Sequence, residues 1–197
     1  MDVNVLLFDD FETLDAFGPV EILGCVADYH LRYVSKSGGL ISSKQGFKIE
    51  TEKIASEDLS GILLIPGGSG TRTLVNDELF IEFLRKLVLN SQYCLTVCTG
   101  SALLAKTGLL DTKKATSNKK AFAWVKSVNN DVKWVEKARW VVDGNYYTSS
   151  GVSAGMDMVL GFIRDQLGVK TAMQISDYIE YIWNDDPDFD PFANTLH

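Results

Sequence analysis

Cys98 is the residue best placed to do chemistry in this chain. It lies in YCLTVCTGSALLAKTGLL, residues 93–110. Residues 93–97 predict a short buried strand, and 100–106 an Ala- and Leu-rich helix closed by Gly108. A thiol at that junction faces a helix N-terminus, where unpaired N–H groups and the helix dipole favour negative charge. The placement predicts a lowered thiol pKa and a reactive thiolate. Cys25, inside an apolar helical run, and Cys94, at the start of its strand, are expected to be buried structural thiols.

Two further segments could complete a site around that thiol. Pro66-Gly67-Gly68-Ser69-Gly70 follows the strand-like GILLI. Adjacent glycines let backbone approach a ligand and turn amides inward. The amides of Gly67 and Gly68, with Thr99 and Gly100 at the helix entry, are candidate oxyanion or substrate-binding donors. The alternative is a plain turn. Asp15 lies in FETLDAFGPVEIL. It is either an N-cap for the helix carrying Pro19 or a carboxyl beside the thiol. In the second case desolvation raises its pKa, and it can hydrogen-bond sulfur and shuttle protons. Glu12 competes for this role; Asp9 and Asp10 read as solvated.

Other motifs carry less. Gly151-Val152-Ser153-Ala154-Gly155 matches the nucleophile elbow of serine hydrolases. A triad would need a histidine after Ser153, and only His197 follows. The glycines are better explained by close helix packing beside Cys98. His30, the other histidine, reads as a surface or boundary residue, so activation of Cys98 falls to the helix dipole, amides and a carboxyl. Cysteine and histidine spacing predicts no metal site and no disulfide framework. Residues 183–194, WNDDPDFDPFAN, lack calcium-loop spacing. They read as a solvated tail that packs through Phe189 and Phe192. Trp124, Trp134, Trp140 and Trp183 read as core or interface bulk.

These groups need a frame. Strands are predicted at 2–8, 31–35, 61–66, 93–97, 138–142 and 145–149. Helices are predicted at 16–29, 77–90, 100–106, 119–127, 151–167 and 170–183. Asp143-Gly144 is a hairpin turn signal. Strands 2–8, 61–66 and 93–97 are apolar nearly throughout, as parallel strands covered on both faces are. The expected fold is α/β, a doubly wound sandwich with a mostly parallel central sheet and an added β-hairpin. Residues 9–19, 66–70 and 98–101 follow strand ends on the side where such sheets bind ligands.

The chain has 197 residues, 46% apolar and 23% charged, with a net charge of −7 and a pI near 4.8. The length suits a single domain over residues 1–197. The acidity argues against nucleic acid or an anionic membrane as partner. No apolar run reaches the roughly 18 residues of a membrane span. MDVNVLLFDDFETLD lacks the pattern of a signal peptide, and a cytoplasmic location is expected.

TVCTGSALLAKTGLLDTKKAT (96–116), IPGG (65–68), TLDAFGPVEIL (13–23) and SSGVSAGMDMVL (149–160) together resemble the DJ-1/PfpI superfamily, nearest its isonitrile hydratase-like branch. The resemblance covers almost the whole chain. It implies a flavodoxin-like, class I glutamine amidotransferase-like sandwich, a cysteine on a strained elbow and a homodimer. Cys98 matches the nucleophile, Thr99 the residue after it, Asp15 the acidic partner, and Gly67 and Gly68 the loop facing the cysteine. Many relatives have a histidine where this chain has Ser117-Asn118-Lys119. The resemblance implies hydration of an isonitrile to an N-substituted formamide, a small-molecule substrate and no cofactor. The alternatives are a glyoxalase- or amidase-like cysteine hydrolase, a cysteine redox sensor and a ligand-binding module. Without an appended helix-turn-helix, the chain is not expected to be a complete AraC-type regulator.

Overall fold

A computed structural model describes residues 1–55 and 59–193. In chain order the elements are β1 (Asp2–Leu6), α1 (Thr13–Gly24), β2 (His30–Ser35), β3 (Gly39–Ser42), β4 (Lys48–Lys53), β5 (Ile62–Ile65), α2 (Thr71–Leu74), α3 (Glu78–Asn90), β6 (Tyr93–Thr96), α4 (Gly100–Lys106), β7 (Lys114–Ala115), α5 (Phe122–Val128), β8 (Lys133–Trp134), β9 (Trp140–Asp143), β10 (Tyr146–Ser149), α6 (Ala154–Leu167) and α7 (Val169–Tyr178). Eight strands form one sheet in the order β3-β4-β2-β1-β5-β6-β10-β9. Its interior pairs are parallel, from β4 with β2 across to β6 with β10. The runs lacking polar alternation became the inner strands. All of β5 and β10 and residues 3–6 of β1 are buried. Helices pack in two groups, α1 with α6 and α7, and α2, α3 and α5 around α4.

The strand order reverses between β1 and β5. The chain moves outward from β1 to β2, then returns to the other side of β1. A crevice therefore opens beyond the carboxyl ends of these strands, where ligands bind in open α/β sheets. The connection after β1 brings Asp15 there, that after β5 brings Gly67, and that after β6 brings Cys98.

The hairpin expected at Asp143-Gly144 is present, with Gly144 at φ +65 and Tyr146 paired with Asp143. Its strand β10 also pairs with β6, so the hairpin closes one end of the main sheet. Two differences from the sequence expectations have physical causes. A second hairpin, β3–β4, forms the opposite edge. Its strand KIETEK is mostly exposed and polar, so it offers no apolar run to detect. Helix α1 starts three residues before the expected position and ends at Gly24, which leaves Pro19 inside it. Pro19 has no N–H to give the carbonyl of Asp15, four residues back.

The C-terminal segment is also not a solvated tail. Arg139 N–H donates to Pro187 O (2.7 Å), and Asp190 N–H to Lys137 O (2.8 Å). Asp190 is 1% exposed, between Arg139 Nη1 (3.4 Å) and Lys119 Nζ (3.8 Å). Arg139 in turn holds buried Asp157 at 2.6 Å. The anchor is this ion network, whereas Phe189 and Phe192 remain largely exposed.

Candidate active site

Cys98 sits at φ +58, in the left-handed region. For a non-glycine residue that costs on the order of 1–3 kcal/mol and requires support from its surroundings. The support is visible. Cys98 N–H donates to Ser150 O (3.2 Å), and Cys98 O accepts from Ser101 Oγ (3.0 Å) and Ser117 Oγ (2.8 Å). Gly100 allows the turn to press on the end of β5, since a Cβ there would lie 2.4 Å from Ile65 O.

Asp15 is fully buried and is not a cap. Glu12 occupies the N-cap position of α1, and Asp15 Oδ2 accepts from Gly67 N–H across the crevice (3.0 Å). Glu12 points elsewhere, to Gln45 and Lys44. Burial pushes the Asp15 carboxyl up to about 7, against the opposing pull of the Gly67 amide and the Cys98 thiol. The thiol and carboxyl are close enough to shift each other's ionisation. Asp15 Oδ1 makes no hydrogen bond of ordinary geometry among the described residues. The carboxyl and the thiol are thus neighbours that bear on one another's protonation, with Oδ2 held by Gly67.

The thiol's resting state differs from the sequence expectation. Cys98 is 6% exposed. Burial first, and then the Asp15 charge, push its pKa up, while the amides of Thr99 and Val152 pull the other way. Desolvation and a neighbouring carboxylate outweigh the helix end, so the resting group is a thiol rather than a free thiolate.

The glycine amides are also committed differently. Gly67 N–H serves Asp15, Gly68 N–H serves Thr99 Oγ1 (3.0 Å), and Gly100 N–H serves Val97 O (2.9 Å). All three are engaged within the protein, so they shape the crevice rather than offer open donors. The donors facing sulfur are Thr99 and Val152. Val152, at φ +41, was not anticipated; its signal was the glycine-flanked run 151–155. Thr71, which donates to Thr99 Oγ1 at 3.1 Å, has no sequence signal. Gly155 does permit close packing, with a Cβ there 2.7 Å from Val97.

Ser153 lies near Arg139 Nη2 (3.4 Å), and His197 is outside the described residues. His30 is exposed at the start of β2. Among the described residues, no group of His, Cys, Asp or Glu is placed to hold a metal ion, and no helix is long and apolar enough to cross a membrane. A cavity of about 210 Å³ adjoins the elbow, lined by residues 118–120, 150–152 and Phe192. The larger groove, about 720 Å³, runs past Glu21, Cys25 and Tyr178 and shares no lining residue with the elbow. Cys25 is therefore half-exposed rather than buried, whereas Cys94 is buried.

Gly67 tolerates no side chain without displacing Thr99 or Asp15. A Cβ there would stand 2.6 Å from both Thr99 N and Thr99 Oγ1 and 2.8 Å from Asp15 Oδ2. Gly67→Ala is expected to destabilise the fold by about 1–3 kcal/mol through overpacking. It should also change the alkylation rate of Cys98, measured by mass spectrometry of the modified peptide. An unchanged rate and melting temperature would mean that the loop yields without disturbing Asp15.

The chain has relatives among known proteins. The sequence profile of the DJ-1/PfpI family matches residues 1–165. Isonitrile hydratase of Pseudomonas putida is 30% identical over 182 residues, covering 92% of this chain and 78% of that protein. Deglycase PfpI of Pyrococcus furiosus is 26% identical over 155 residues, 76% of this chain and 89% of that one. The crystal structure of a ThiJ/PfpI family protein from Pseudomonas syringae superposes with a TM-score of 0.79 at 27% identity, covering 96% of this chain and 77% of that one.

Proposed function

This chain belongs to the DJ-1/PfpI family, and from the mutual influence of Cys98 and buried Asp15 we propose that it is a cysteine-dependent enzyme that hydrates isonitriles. In this reading the pair shares one proton. The sulfur of Cys98 bonds to the terminal carbon of R–N≡C, and the thiol proton, passed through Asp15, is delivered to that same carbon. The product is a thioimidate, R–N=CH–S–Cys98. Water adds to its carbon, the C–S bond breaks, and the proton returns to sulfur through Asp15. The net change is R–N≡C plus water to R–NH–CHO. No external oxidant or reductant is needed.

Each neighbour has a task in this scheme. The amides of Thr99 and Val152 stabilise negative charge on sulfur as the proton leaves. Thr99 Oγ1, held by Gly68 and Thr71, orients water or Asp15. Gly67 fixes the carboxyl by its N–H, and Gly68 and Gly100 give the crevice its close walls. The single observation that carries the reading is Asp15, fully buried in the crevice with Cys98 and held there by Gly67 N–H, where desolvation raises its pKa and suits it to act as a general acid. The 30% identity to an isonitrile hydratase supports the choice of electrophile.

Incubation with a simple alkyl isonitrile should give the matching formamide, and Cys98→Ala should lower the rate to background. A clean, reduced protein that yields no formamide would end the substrate assignment. A carbonyl electrophile at the same thiol is the second reading, supported by the likeness to a deglycase. Lactate formed from methylglyoxal and lost in Cys98→Ser would favour it. A redox-sensor role draws less support, because Cys98 has neither the exposure nor the thiolate character that selective oxidation follows. The same reading takes the chain as one domain working as a homodimer in the cytoplasm, and sedimentation tests the dimer.

A further inference from the structure

One cavity borders the loop that holds Cys98, and the reaction above does not use it. Its floor is the loop at residues 150–152, the same loop whose Ser150 O accepts the Cys98 amide and whose Val152 N–H faces sulfur. Asn118 lies over this loop. Its Oδ1 accepts from Ala121 N–H (3.1 Å), so the side chain is fixed in one orientation. Its Nδ2 stands above Gly151, 2.0 Å from where a Cβ would be. Glycine at 151 is what leaves room for the amide. No acceptor for Nδ2 is found among the described residues.

Two lysines border the same space. Lys119 is buried and its Nζ is engaged by Thr116 Oγ1 (3.1 Å), Ala138 O (2.6 Å) and Asp190. Lys120 is exposed, with no ion pair among the described residues. Phe192 supplies an apolar side. The volume, about 210 Å³, equals about seven waters in the liquid, which limits the occupant to a small group. A fixed amide donor, an unpaired ammonium and an apolar wall together suit a compact acceptor bearing negative charge. The placement is unusual in a chain of net charge −7, whose general field repels anions.

We propose that this cavity is a carboxylate subsite, so that the preferred substrate is a small molecule carrying its electrophilic carbon on a short acidic substituent. Asn118 Nδ2 donates to one carboxylate oxygen and Lys120 supplies the counter-charge. The substrate class rests on the reading of Cys98 as the nucleophile; the subsite itself does not depend on isonitrile chemistry.

The test uses two alkylating probes that differ in this group alone. Iodoacetate and iodoacetamide both transfer their CH2 carbon to sulfur and release iodide. The Cys98 adduct is followed by mass spectrometry, apart from those of Cys25 and Cys94, with N-acetylcysteine as reference. The iodoacetate-to-iodoacetamide rate ratio at Cys98 should exceed the reference at least roughly threefold to fivefold, the low end for one exposed ion pair with a hydrogen bond. It should fall toward the reference in Lys120→Gln, in Asn118→Ala and in high salt. Lys126→Gln, on exposed α5 surface outside the cavity, should leave the ratio unchanged. A ratio at or below the reference, or one insensitive to Lys120 and Asn118, overturns the subsite. Isocyanoacetate and its methyl ester then separate the two claims. Turnover of the ester without preference for the acid retains the hydratase and removes the subsite. A probe preference without turnover of either retains the subsite and removes the hydratase.

Discussion

Asp15→Asn is expected to remove turnover while making the protein more stable in alkali. Removing the proton carrier from a shared-proton pair should lower kcat/KM about 10³-fold, within the range for general acid–base groups. The stability effect has the opposite sign because the folded protein raises this carboxyl from 3.8 to about 7. Between those values the folded chain holds a proton that the unfolded chain has released. Stability from this group is therefore complete below about pH 4, falls as pH rises, and is gone above about pH 7, a span worth roughly 4 kcal/mol. Asparagine accepts from Gly67 N–H as the carboxyl does and has no charge to bury. Denaturant unfolding at pH 5 and pH 8 should show the wild type losing stability across the interval and the variant losing less. A variant that keeps turnover within tenfold, or keeps the full pH slope, would show that Asp15 is not the desolvated acid of the site.

The same residue shows why part of the site was legible in the sequence and part was not. Cys98, Asp15 and Gly67 each follow the end of an apolar strand, and topology alone brings such connections to one crevice. Their approach could be read from order along the chain. Their ionisation could not. The helix entry at Cys98 predicts a thiolate, whereas depth and the nearby carboxyl decide for a thiol, and depth is set by side chains from several distant segments. The glycine amides show a similar limit. A glycine run reveals that backbone comes close to something, but not that Asp15 and Thr99 would claim those N–H groups. Thr71 entered the site through tertiary placement alone, and Val152 had only the glycine-flanked run 151–155 to mark it. Among the elements, the apolar strands were evident, and the polar β3–β4 edge lacked the one signal that marks a strand without its partners.

Residues 183–193 carry the lesson into stability. An acidic segment reads as solvated because each charge, taken singly, prefers water. Here Asp190 is drawn in by two cations, and its loss should be costly. Asp190→Ala leaves Arg139 Nη1 without its contact at 3.4 Å and Lys119 Nζ without the only carboxylate within 4 Å among the described residues. Breaking a buried pair by removing one partner costs about 3–5 kcal/mol, which for a chain of this size lowers the melting temperature by roughly 10 °C. Lys86→Ala, which removes an exposed pair to Glu82 at 3.6 Å, should change stability by less than about 1 kcal/mol and serves as the comparison. The effect should also reach the thiol. Arg139 O accepts Ser150 N–H (2.8 Å), and Ser150 O accepts Cys98 N–H (3.2 Å), so a loosened Arg139 slackens the contact that holds Cys98 in its strained conformation. Asp190→Ala should therefore alter Cys98 alkylation at temperatures well below its melting point, and Lys86→Ala should not. Equal melting temperatures for the two variants would mean that the strap is held by its backbone bonds to Arg139 and Lys137, with the buried ions adding nothing.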